Sequence, residues 1–140
     1  MVVVAVVSGT TRPDSVVVEA ARRADDLETA VHVLYVQGLG WYANLEVVLS
    51  ERLGVPTGIE TVRKTCERRA ERIAEPVLEE YRAVGRIGRP IDEIVEYTRN
   101  VDGDCVVIDA AVDWGAGFGS LFSDPLTRLR AENVLVVPVY

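Results

Sequence analysis

The sequence predicts an α/β fold in which a five-stranded parallel sheet is covered by helices on both faces. Three observations carry this expectation. Short apolar runs rich in valine recur along the chain and stop at turn residues, as strands buried on both faces do. Between them lie stretches with apolar residues at helical spacing. The two kinds of segment alternate from one end to the other, the pattern of right-handed crossovers over a parallel sheet.

The elements follow in order. Val2–Val7 is almost wholly apolar and ends at Ser8-Gly9-Thr10, which makes it the first strand. Asp14 or Ser15 caps a helix over Ser15–Leu27, where Val17, Ala20, Ala21, Ala24 and Leu27 share a face. Thr29–Val36 is the second strand. Trp41–Leu53 reads as a short helix closed by Gly54 and Pro56. Thr57-Gly58-Ile59-Glu60 has the form of a capping box, and Ile59, Val62, Cys66, Ile73, Val77 and Tyr81 mark one face of a longer helix. Pro76 removes a hydrogen bond and should kink or end that helix near Glu75. Arg82–Ile87 is the third strand, and Gly88-Arg89-Pro90 turns the chain into a helix with Pro90 at its first position. Asp92 and Glu93 suit that helix's start and Arg99 its end, with Ile91, Ile94, Val95 and Thr98 as the buried stripe. Asp104–Ile108 is the fourth strand. A glycine-rich loop then runs from Ala110 to Ser120, Ser123-Asp124-Pro125 caps a last helix, and Asn133–Val139 is the fifth strand.

Composition narrows the function. The 140 residues are one domain's worth, 1–140, with 49% hydrophobic residues, enough for a core without disulfides or metal. The net charge of −7 argues against nucleic acid as a partner, because phosphate contacts need a basic face, and against an anionic membrane surface. Of the 15 basic residues only Lys64 is lysine, a bias that fits a GC-rich genome or a salt-rich cytosol as well as ordinary codon usage. Cys66 and Cys105 match no metal spacing and read as reduced, buried thiols of a cytoplasmic protein. Met1 leads straight into a strand, which leaves no signal peptide, and no apolar run approaches a membrane span.

Five pieces of the chain, in order, resemble the universal stress protein family. They are Val2-Val3-Val4-Ala5-Val6, Val31–Val36, Gly88-Arg89-Pro90 with Glu93-Ile94, Asp104–Ile108, and Ser123 through Val134–Pro138. The resemblance implies an open Rossmann-like sheet of order 3-2-1-4-5, akin to the adenine nucleotide alpha hydrolases, and a homodimer. Here the dimer would form through Val134–Tyr140, an edge strand that is apolar and uncharged. In family members that bind ATP, an Asp follows the first strand, a glycine motif after the fourth strand wraps the phosphates, and a Gly-Ser pair opens the last helix. This sequence departs at each point. Val7 stands at the Asp position, Asp109 at the glycine, and Gly119-Ser120 lies three residues before the cap at Ser123. A carboxylate at Asp109 would repel phosphate oxygens. The candidate positions for a nucleotide, carried over as a degenerate set, are Ser8, Gly9, Thr10, Val36, Asp109, Gly115, Gly117, Gly119, Ser120 and Ser123.

The reading that follows is a dimeric regulatory or protective module with a protein partner, no catalytic turnover and no resident cofactor. The alternative is a member that binds ATP or AMP at the carboxyl edge of the sheet. A third is an adenylating or nucleotide-hydrolysing enzyme on the same fold, which lacks an evident nucleophile, base or phosphate loop. Gly115-Ala116-Gly117-Phe118-Gly119 reads as a plain loop or as a phosphate cradle. Arg12 reads as a loop residue or as a partner for an anion at the carboxyl edge. His32, the only histidine, reads as a core or sheet-facing residue, since a lone histidine makes neither a metal site nor a triad. Trp41, Tyr42 and Trp114 read as packing or as base-stacking groups. A receiver domain does not fit, because Ser8-Gly9 stands where it needs an acidic pair.

Overall fold

Each apolar run forms a strand, and the runs lack polar alternation because both of their faces are covered. The computed structural model describes residues 2–38, 58–112 and 134–140. In them the order is β1 Val2–Val6, α1 Pro13–Leu27, β2 Ala30–Gln37, α2 Ile59–Ala74, β3 Arg82–Ile87, α3 Pro90–Asn100, β4 Cys105–Asp109 and β5 Leu135–Val139. All strand pairs are parallel and the sheet order is β3-β2-β1-β4-β5, as expected. The helix expected over Trp41–Leu53, the glycine-rich loop from Asp113 to Ser120 and the last helix from Ser123 lie outside the described residues.

The strands divide their side chains between two cores. Val3, Ala5 and Val7 join Val31, Val33 and Val107 under Val16, Val17 and Ala20 of α1 and Ala70 and Ala74 of α2. Val4 and Val6 join Leu34, Val36, Val106 and Val136 under Ile94, Val95 and Tyr97 of α3. Burying each such valine or leucine is worth about 1.5–3 kcal/mol relative to leaving it in water. Tyr97 completes the α3 stripe, a position that helical spacing alone had not included.

The helix ends differ from the sequence reading in informative ways. α1 begins at Pro13, with Arg12 at the N-cap and no side-chain cap, because proline's fixed φ starts the helix two residues before Ser15. Gly58 is the N-cap of α2, with no side-chain cap bond, and Thr57, the hydroxyl residue of the expected capping box, lies outside the described residues. Pro76 acts as expected: α2 stops at Ala74, and Val77 and Leu78 donate backbone hydrogen bonds to the Ala74 carbonyl. Val77 and Tyr81 therefore pack on the core from the turn and bend that follow, not from the helix.

Gly85 in β3 is required by packing. A Cβ placed there would sit 2.2 Å from the Arg63 carbonyl oxygen and 2.7 Å from the Glu67 nitrogen of α2. The helix backbone lies directly on the strand, across the small side chains Cys66, Ala70 and Ala74.

Candidate functional site

The sheet order reverses direction between β1 and β4, and in open α/β sheets the crevice beyond the carboxyl ends of such strands is the usual ligand position. The loop Val7–Arg12 and the end of β4 meet there. Val7 is 2% exposed and belongs to the core beneath α1, so the chain presents no polar side chain at that position. Ser8 is buried as well, and its Oγ accepts a hydrogen bond of 3.1 Å from the Val36 backbone N–H. Two of the candidate positions, Ser8 and Val36, are thus joined to each other across the ends of β1 and β2. Gly9 turns the chain with φ +72°, a left-handed conformation that favours glycine.

Asp109 closes β4 and is 2% exposed. Its carboxylate is fully engaged by the chain itself. The Arg12 guanidinium donates to Oδ1 at 2.8 Å, the Thr10 hydroxyl to Oδ2 at 2.5 Å, and the Ala111 backbone N–H to Oδ1 at 2.9 Å. The Arg12 N–H donates in turn to Thr10 Oγ1 at 2.9 Å, which fixes the loop, and the Arg12 side chain also donates to the Val139 carbonyl at 3.2 Å. The Arg12 guanidinium first, then the Thr10 hydroxyl and the Ala111 amide, hold the Asp109 carboxyl at about 2, below its usual 3.8, against the opposing effect of burial.

The anion that Arg12 meets at this edge is therefore Asp109. The sequence marked both residues but not their pairing, because 97 positions separate them and only the sheet order brings them together. Of the candidate set, the structure brings Thr10 and Asp109 into direct contact and places Ser8, Gly9 and Val36 on the same edge. Gly115, Gly117, Gly119, Ser120 and Ser123 lie outside the described residues, as do Trp41, Tyr42 and Trp114.

His32 is half-buried under α3. Its Nδ1 shares a 2.7 Å hydrogen bond with the Tyr97 hydroxyl, and burial, then Arg82, push its pKa below the ordinary value. The Arg86 guanidinium lies 5.4 Å over the Tyr97 ring. His32 is thus a hydrogen-bonded, sheet-facing residue distant from the Asp109 edge, at the opposite end of the strands. Among the described residues no group of His, Cys, Asp and Glu is arranged to hold a metal ion, and no helix is long and apolar enough to cross a membrane.

No family model matches the sequence, and no curated protein matches it. Solved structures do resemble the chain. A universal stress protein from Archaeoglobus fulgidus in complex with dAMP shares 21% identity, with 99% of this chain and 96% of that one covered at a TM-score of 0.58. The universal stress protein UspA from Lactobacillus plantarum shares 16% identity, with 100% and 97% covered at 0.61. A universal stress protein in complex with cAMP shares 17% identity, with 100% and 97% covered at 0.59. With these matches covering 99–100% of its length, the chain has the fold of the universal stress proteins.

Proposed function

We propose that this chain is a universal stress protein that does not hold ATP tightly. In this reading it is a single domain over residues 1–140 and a dimeric, non-catalytic module of the cytoplasm that regulates or protects a protein partner. One observation supports the weak-nucleotide part above all. The groups at the carboxyl edge that suit a phosphate, Arg12 and the Thr10 hydroxyl, are engaged by the buried carboxylate of Asp109. A phosphate arriving there would have to take Arg12 from an ion pair and sit beside a fixed negative charge. Val7 adds to this, since an apolar core residue gives a nucleoside nothing to bond.

The second reading is an AMP-type nucleotide at the same edge. It is favoured by the cAMP and dAMP complexes of two of the similar structures and by the Arg12 side chain, which is 38% exposed. Calorimetric titration of the purified chain with Mg-ATP and with AMP separates the two. The expected result is no saturable heat below millimolar nucleotide, and micromolar or tighter affinity for either would overturn the first reading. A Val7→Asp, Asp109→Gly double variant should gain affinity for ATP.

The dimer belongs to the same proposal. β5 is the last strand of the sheet order, and Leu135 and Tyr140 are 53% and 89% exposed. An apolar edge strand of this kind is a template for pairing, and a second copy related by a twofold axis would satisfy its free amides.

A further inference from the structure

The opposite edge of the sheet, at the amino-terminal ends of the strands, carries a cavity of about 670 Å³. Its size is within the range of small-ligand sites, about 300–1,000 Å³. The sequence creates it at Pro76. Because α2 ends at Ala74, the turn and bend from Val77 to Tyr81 form a wall of the cavity, with the last two turns of α1 and the starts of β2 and β3 as its other lining. The floor is apolar: Ala24 and Val31 are each 4% exposed, and half-buried Val77 and Leu78 form the side.

The rim has the opposite character. Asp25, Glu79 and Glu80 line it, and Arg82 is the one arginine or lysine that lines it with them. None of the three carboxylates takes part in the ion pairs found among the described residues, which use Glu19, Glu60 and Asp109. Tyr81 also lines the cavity, and burial, then Glu71 and Glu75, push its phenol pKa up, so two further carboxylates bear on the same wall. His32 contributes no compensating charge, since burial and Arg82 lower its pKa. A low-dielectric wall with three carboxylates against one arginine at its mouth focuses negative potential into the cavity.

We infer that this amino-edge cavity is a binding site for a small amphipathic organic cation, an alkyl ammonium or alkyl guanidinium. The stem would lie on Ala24, Val31 and Leu78, and the charged head would sit among Asp25, Glu79 and Glu80. A bare metal ion does not suit it, because among the described residues no group of three or more His, Cys, Asp and Glu is arranged to hold one. An anion is opposed by the field. The Tyr81 ring offers a further face to the cation. This inference stands apart from the nucleotide question, because the cavity lies at the other end of the strands from Thr10 and Asp109.

The test compares n-hexylammonium with 1-hexanol, which have the same apolar stem and differ in charge. Binding to the full chain is followed by the methyl resonances of Val31 and Leu78. Hexylammonium should give saturable shifts, with affinity roughly tenfold above that of hexanol, and added salt should narrow the difference. A Glu79→Gln, Glu80→Gln double variant should lose most of that preference. Ala21→Leu, which keeps a good helix former and fills the cavity mouth, should weaken both ligands. Equal affinity for the two ligands, or no saturable shift with hexylammonium, would overturn the inference. The wild-type comparison decides it even if a variant fails to fold.

Discussion

Asp109→Asn removes one charge from the carboxyl edge with almost no change of shape. The depression of the Asp109 carboxyl from 3.8 to about 2 corresponds to about 2.5 kcal/mol at about 1.4 kcal/mol per pH unit. Water screens the pair on the Arg12 side, where the side chain is 38% exposed, so about 1–2 kcal/mol of stability is the expected loss at pH 7. Arg12→Ala should cost more, about 2–3 kcal/mol. It leaves a carboxylate that is 2% exposed with only Thr10 and Ala111 as partners, whereas in Asp109→Asn the arginine can turn to water. The sign with pH follows from the direction of the shift. A lowered folded-state pKa stabilises fully above the unfolded value, and that stability is lost as pH falls through the folded one. The gap between wild type and Asp109→Asn should therefore be constant above about pH 5, near half its size at pH 3 and small at pH 2. Urea unfolding followed by circular dichroism at each pH measures it. A loss under about 0.5 kcal/mol at pH 7, a gap that does not shrink towards pH 2, or a milder effect from Arg12→Ala would refute the reasoning.

Two further perturbations probe the frame that holds this edge. Gly85→Ala should destabilise the protein by about 3 kcal/mol, since its Cβ would enter the α2 backbone, and the urea midpoint reports it. The wild type should sediment as a dimer at micromolar concentration, and a Leu135→Lys, Tyr140→Lys double variant as a monomer. A monomeric wild type, or a variant that still dimerises, would remove β5 as the interface. Val136 is unsuited to that test because it is 5% exposed within the α3-side core, and a charge there would attack the fold itself.

Most of the fold was legible because parallel sheets write themselves plainly. A strand covered on both faces must be apolar throughout, as Val2–Val6 and Cys105–Asp109 nearly are, and Pro76 and Pro90 mark helix boundaries by steric necessity. Helix starts were less legible. Asp14 and Ser15 are good caps by residue type, yet Pro13 sets the boundary, and capping preference is too small to overrule a fixed φ. The need for Gly85 was not legible in the chain, because it appears only where the α2 backbone lies on β3. The site was legible as a list and not as an arrangement. Arg12 and Asp109 could each be singled out from the chain, and their pairing appears only when β1 and β4 lie side by side.

That pairing changes what the departure at Asp109 means. A missing glycine would by itself only crowd a phosphate loop. An aspartate supplies a substitute anion, covalently tethered beside the cation and hydroxyl that a phosphate would use. A group already held in place by the fold competes without the translational and rotational entropy that a free ligand loses on binding. A nucleotide would also have to break contacts worth about 1–2 kcal/mol, a penalty of roughly 5–30-fold in affinity before any contact of its own is made. On the proposed reading, the stabilisation of the edge and the weakening of a nucleotide site would come from one set of hydrogen bonds, and the two could not be optimised together. Asp109→Gly should lower stability and open Arg12 to phosphate in the same variant. A chain can thus keep the fold of the universal stress proteins while the groups at its carboxyl edge are committed to each other.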